Sequence, residues 1–451
     1  MRLDLRKTID ESPMTRFQNI VVTVCILLNM LDGFDVLSMA FTAAHISAEW
    51  NLNGTKIGLL LSAGLFGMGA GSLFIAPLAD RLGRRTIILV CLMTIAGGML
   101  ASSMAQSVAQ LAILRAVTGL GIGGMLASLT VITSEYSSDR WRSGAISMQS
   151  TGYALGATIG GIIAGILLSH AGWRSVFASG GLATAAMLPV VFALMPESLD
   201  YITAKRPTGA LEKINKILAR MGHVPVNVLP LIGDRLEDLR DTETSSTAAS
   251  LFHPALLVRT LTIWASFFLV MASFYFVMSW TPKLLVQSGM SASQGITGAV
   301  LLNVGGIFGC TLFSALSSRL KLRTLLYTYL LVGVVALVAF GNGTHSLQVS
   351  MLLAVLIGAA ISGCVGGLYS LAPMLYPTES RATGMGWAIG MGRIGAILAP
   401  MSVGALIDAG WKVGHLYFLF AVPLLAAVAS IAIIYASVGG RAIGRSSSAT
   451  A

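Results

Sequence analysis

Two carboxylates, Asp32 and Asp35, stand in the run LLNMLDGFDVLSMAF at 27–41, inside an apolar stretch long enough to cross a membrane. An unpaired charge in hydrocarbon is costly, and acidic residues at that depth mark proton or ion pathways or partners for an opposite charge. The spacing of three puts both near one face of a helix, and Gly33 between them admits a neighbouring backbone or ligand at close range. A carboxyl group in a low-dielectric site takes up a proton more readily than one in water. Two guanidiniums also fall inside apolar runs. Arg115 lies one to two turns inside a later apolar run, RAVTGLGIGG, where it either pairs with an acidic side chain or binds an anion. Arg393 lies roughly 15 Å into another run at ~1.5 Å per residue, near the middle of a ~30 Å hydrocarbon core. Its planar fork suits a carboxylate bidentately, whether that of a bound organic acid or that of a side chain such as Asp32.

Aromatic residues accompany these charges: Phe34 beside the aspartates, Tyr153, Tyr275 and Trp280, and Trp387. Together they are candidates to line a pocket for an aromatic acid, although each alone is more often a packing or interface residue. The histidines lie in loops or near the ends of apolar runs, so any proton carried through the membrane falls to carboxylates. The cysteines, Cys25, Cys91, Cys310 and Cys364, have neither metal-ligand spacing nor a disulfide framework. No metal or cofactor is expected. Gly119, Gly121, Gly123 and Gly124 superficially trace a dinucleotide loop, but no strand precedes them, and they read as helix-packing glycines.

Such residues need elements to hold them at depth. The 451-residue chain is 55% hydrophobic and 11% charged, with a mean hydropathy of +0.80, which excludes an ordinary soluble domain. Spans are expected near 18–42, 55–79, 84–104, 107–134, 145–169, 174–195, 256–282, 294–316, 323–341, 347–373, 382–407 and 413–437. The net charge of +10 does not point to nucleic acid, because the basic residues gather at the two termini and in alternate loops. That is the positive-inside pattern, and it places both termini in the cytoplasm. Some attraction to anionic lipid follows from the same charges. MRLDLRKTIDESPMTR is polar and mixed in charge, so no cleavable signal peptide is expected.

Residues 196–255 interrupt the apolar pattern and divide the chain into a half at 1–195, a cytoplasmic linker, and a half at 256–451, with six spans in each half. Within the linker, Leu211, Ile214, Leu218 and Met221 share one face of an amphipathic helix, fit either to lie on the inner membrane surface or to stand as a solvated linker. An offset of 240 residues pairs Tyr136 with Tyr376, Asp139 with Glu379, Gly144 with Gly384, Gly152 with Gly392, and Tyr153 with Arg393. Repeated halves around a central site are expected of a transporter.

After the second span the chain reads APLADRLGRRTIIL. Asp80, Arg81, Gly83, Arg84 and Arg85 match the loop signature of the major facilitator superfamily, with Ala76 where that pattern usually has Gly. PESLDY, with Glu197, resembles another signature at the end of the sixth span. LDGFD, with SFYFVMSWTPKLL and LYPTESRATGMGWAIGMGRIGAILAP, further resembles the aromatic acid/proton symporter family within that superfamily, over nearly the whole chain. The resemblance implies an all-α membrane protein of twelve transmembrane helices with the major facilitator fold, not an enzyme. It implies uptake of an aromatic carboxylate such as a hydroxybenzoate with protons across a bacterial inner membrane. Asp32 and Asp35 would couple protons. Arg393, Tyr153, Phe34, Tyr275, Trp280, Trp387 and Arg115 are the candidates to contact substrate. Asp80, Arg81, Gly83, Arg84, Arg85, Glu135, Glu379 and Arg381 are expected to gate the cytoplasmic side. A single chain would suffice. The same machinery would also serve a sugar acid or dicarboxylate, or proton-driven efflux.

Overall fold

The computed structural model describes residues 9–10, 12–226, 251–343, 346–377 and 380–437. The linker stretch 227–250, His345 and Glu379 lie outside the described residues. Among those described the regular structure is all helical, and twelve helices are long and apolar enough to cross a membrane. In chain order they are α1 Arg16–Trp50, α2 Gly54–Phe74, α3 Arg84–Ser103, α4 Val108–Glu135, α5 Asp139–His170, α6 Gly172–Leu194, α7 Pro254–Gln287, α8 Ala292–Ser317, α9 Leu322–Gly341, α10 Leu347–Leu371, α11 Arg381–Asp408 and α12 Val413–Ser437. Helices satisfy their own backbone polar groups, which lipid cannot do, so long apolar runs leave the chain no other regular choice. Starts are set by short polar residues: Ser107 and Ser346 cap α4 and α10, and Ser291 with Gln294 forms a capping box at α8.

The chain forms two compact units, residues 1–38 with 63–238, and residues 39–62 with 239–451. The distal part of α1 and the first part of α2 therefore belong to the second unit. In the first unit α3 packs on α4 and α6; in the second, α9 packs on α10 and α12, so the neighbours recur six helices later. Small residues make these contacts close, as expected where lipid supplies no hydrophobic drive between helices. A Cβ on Gly119 would lie 2.1 Å from the Gly64 carbonyl, and one on Gly123 2.0 Å from that of Met68, so α2 and α4 meet backbone to backbone. Gly305 and Gly309 press likewise on Val355 and Ala359 between α8 and α10.

The amphipathic linker helix spans Ala210–Arg220, and Ile214, Leu218 and Met221 are buried by the rest of the protein. Arg220 stands over the Phe17 ring at 5.5 Å, which places this helix beside the start of α1.

Candidate functional site

The aspartates of α1 are held by two crossings. On one side α5 approaches so closely that a Cβ at Gly33 would sit 2.0 Å from the Tyr153 carbonyl, and a Cβ at Gly156 would collide with the Met30 carbonyl. On the other side α4 brings in Arg115. Its guanidinium donates to the Asp35 carboxylate through Nη1 and to the Asp35 carbonyl at 2.8 Å through Nη2, and lies 5.6 Å from the Phe177 ring centroid. Asp35 is 1% exposed and Arg115 2%. A buried pair of this kind is stable only while both members are present.

Asp32, one turn away and 1% exposed, has no ion pair among the described residues, and its Oδ2 has no hydrogen-bond partner. It lies within electrostatic range of Asp35 and of Cys91 on α3. One further turn along α1, the Asn29 side-chain amide donates to the Gln149 carbonyl at 2.6 Å, while Asn29 Oδ1 and Gln149 Oε1 have no hydrogen-bond partner among the described residues. Among the described residues, the α1–α5 contact around Asp32 thus holds one carboxylate paired with a cation, one without, and two acceptor oxygens with nothing to accept. Asn29 is legible in the sequence as a polar residue three before Asp32; Gln149 is not, because nothing in the sequence says α5 faces it.

The aromatic candidates separate. Phe34 is wedged against Gly160 and Gly180 and lines an apolar cavity of about 440 Å³ with Met30, Ile163 and Met187, which holds no charged side chain. Tyr153 is half-buried on α5. In the second unit Trp280 is fully buried and donates its indole N–H to the Pro400 carbonyl at 3.1 Å. Trp387 is 49% exposed and stacks on Trp264 at 5.5 Å. Arg393 and Tyr275 both lie within electrostatic range of Tyr369 on α10, whose ring meets Phe267 edge-on at 5.5 Å. Gly392, beside Arg393, sits against Phe267 and Met271 of α7. One guanidinium with two phenols, on three helices of one unit, can take a carboxylate with an aromatic ring attached. Nothing in the sequence singles out Tyr369, since only the packing of α10 on α7 brings it there.

The signature loop between α2 and α3 is fastened by carboxylates. Arg84 pairs with Glu135 at 3.0 Å and with Asp80 at 3.4 Å. Glu135 also accepts from Ser198 Oγ at 2.8 Å and from the Leu199 amide at 2.9 Å. The Arg85 and Ser198 amides both donate to Glu197 Oε1, at 3.0 and 2.9 Å. Gly83 has φ +97°, and a Cβ there would lie 2.5 Å from Glu197 Oε2, so a side chain fits neither the backbone nor the space. Tyr136 donates to the Glu197 carbonyl at 2.7 Å. Burial, with the Glu135, Glu197 and Asp200 carboxylates nearby, keeps the Tyr136 hydroxyl protonated well above its ordinary range, so it remains a donor. Arg81, Asp80 and Arg381 are exposed. Glu197 and Ser198 thus belong to the same cluster as Glu135, through the segment that follows α6.

The profile of the Major Facilitator Superfamily matches residues 22–400. The chain is 32% identical over 435 residues to the gallate transporter of Pseudomonas putida, covering 95% of this chain and 94% of that one. It is 31% identical over 433 residues to the 4-hydroxybenzoate transporter PcaK of the same organism, covering 96% and 95%. Its fold resembles the inward open conformation of the xylose transporter XylE from E. coli, with a TM-score of 0.74 at 16% identity, over 94% of this chain and 98% of that one.

Proposed function

Because the chain belongs to the Major Facilitator Superfamily, whose members matched at about one-third identity carry gallate and 4-hydroxybenzoate, we propose that it is a proton-coupled importer of an aromatic carboxylate. It works as a single chain in a bacterial inner membrane with both termini in the cytoplasm, as the basic loops indicate. The observation that carries the coupling is Asp32, a buried carboxylate without a cation among the described residues, one turn from Asp35, which has one. A charge so placed opposes any step that closes the protein around it, and a proton removes the penalty. Asp32 takes its proton from the more acidic outside. Arg393 holds the substrate carboxylate, and Tyr275 and Tyr369 contact its ring. The loaded, neutralised form then rearranges, and proton and substrate leave to the cytoplasm. Arg115 holds the Asp35 carboxylate in place, which leaves the coupling role to Asp32. The Asp80–Arg84–Glu135 cluster couples the inner ends of the helices to that rearrangement.

Proteoliposomes taking up labelled 4-hydroxybenzoate test the substrate class. Unlabelled benzoate, protocatechuate and gallate are expected to compete, and gluconate and succinate are not. Competition by the aliphatic acids alone would overturn the reading. Arg393→Lys keeps the charge but loses the fork. With one charge-assisted hydrogen bond worth about 1.5–3 kcal/mol, it should raise the half-saturating substrate concentration about tenfold to a hundredfold, as read by concentration-dependent uptake.

A further inference from the structure

Asp408 is the last residue of α11, where a negative charge is unfavourable for its own helix. It instead serves α2. Its Oδ1 accepts from the Gly54 amide at 2.6 Å, and its Oδ2 from the Thr55 amide at 2.8 Å and the Thr55 hydroxyl at 2.5 Å. These are the first residues of α2, whose amides have no partner within the helix. From α2's own approach, Asn53 Oδ1 takes the Lys56 amide at 3.2 Å. The N-terminus of one helix is therefore capped by a carboxylate borne 354 residues from Gly54 in sequence.

The cap is the end of a longer seam within the second unit. Gly54 and Gly404 meet so closely that a Cβ on either would lie 2.4 or 2.3 Å from the other's carbonyl. One turn further, a Cβ on Gly58 would lie 2.6 Å from the Pro400 carbonyl, and another turn in, Ser62 Oγ donates to the Ile397 carbonyl at 2.8 Å. Lys283 at the end of α7 donates to Ser47 Oγ on α1 at 3.1 Å, and its ammonium is within electrostatic range of Asp408. With the termini in the cytoplasm, this whole seam lies at the outer ends of α1, α2, α7 and α11.

We propose that Asp408 and Thr55 form an outer latch of the transport cycle. The carboxylate caps α2 while the outside is shut, and the cap must release before α2 parts from α11 to admit substrate from that side. Asp408 is a positioning residue in this scheme and touches neither substrate nor proton. The placement rests on the topology proposed above but not on which acid is carried.

Ser62→Cys supplies a reporter buried behind the latch. Right-side-out and inside-out vesicles are treated with a membrane-impermeant maleimide, and labelling is resolved by peptide mass spectrometry, with the buried natural Cys25 and Cys364 as internal controls. Asp408→Ala in this background is expected to speed labelling of the reporter in right-side-out vesicles about fivefold to tenfold. Thr55→Val, which removes only the hydroxyl bond, should speed it about threefold, and it decides the matter if Asp408→Ala does not accumulate. Reporter labelling at the parental rate in the variants would overturn the latch. So would labelling of Cys25 or Cys364 in step with the reporter, because that indicates general loosening. Labelling found only in inside-out vesicles would overturn the topology and the latch with it.

Discussion

Asp32→Asn is expected to lose accumulation driven by the proton gradient altogether, uptake stopping once the substrate concentrations on the two sides are equal, while exchange of labelled for unlabelled substrate persists. Asparagine has the shape of a protonated aspartate and no charge, so the substrate-loaded form can still cross between its two states. What disappears is the link to the proton gradient. Exchange by the natural protein should quicken as the pH falls, since the protonated Asp32 is the form that rearranges, whereas exchange by the variant should be flat with pH. Net uptake by the variant at the natural rate with natural pH dependence would remove Asp32 from the coupling step. The contrast depends on the absence of a cation at Asp32 among the described residues, set against the Arg115 contact of Asp35.

The second large effect is structural. Asp35→Ala leaves Arg115, 2% exposed, without its partner. Breaking one side of a buried pair costs about 3–5 kcal/mol, because the remaining charge is stranded, whereas replacing both members by apolar residues of similar size is often tolerated. Asp35→Ala should therefore lower the thermal unfolding midpoint in detergent sharply and reduce the amount of protein in the membrane. Asp35→Leu combined with Arg115→Met should recover most of that stability. A single variant as stable as the parent would show that Arg115 finds water or another anion when Asp35 is gone, and that the pair does not hold α1 on α4.

Much of this arrangement is legible in the sequence, and the reason is locality. Each span is written in its own twenty or so residues, so hydropathy alone recovers the twelve helices. Gly83 and the arginines beside it form one short motif, and the backbone strain that demands glycine there is local as well. What could not be read are pairings between helices. Arg115 announces itself as a buried charge, but only the packing of α4 on α1 decides that Asp35 is its partner. Tyr369 looks like any tyrosine near the end of a span until α10 sets it beside Arg393. Asp408 reads as a boundary charge, and its role at Gly54 depends on a contact that no spacing in the sequence encodes. Phe34 shows the converse: its neighbours in sequence suggest a ligand contact, while Gly160 and Gly180 of other helices receive its ring.

If aromatic acid and proton move together by way of Asp32, the proton itself must be seen to move. Purified protein is placed in liposomes that enclose a pH-sensitive dye, with equal pH on both sides and the potential clamped by potassium and valinomycin. External 4-hydroxybenzoate is then added, and the same addition is made to protein-free liposomes and to liposomes carrying Asp32→Asn. The lumen should acidify faster with the natural protein than in both controls, and succinate should give no such signal. Entry of labelled acid faster than in protein-free liposomes, with lumen pH no different from the controls, would contradict this coupling.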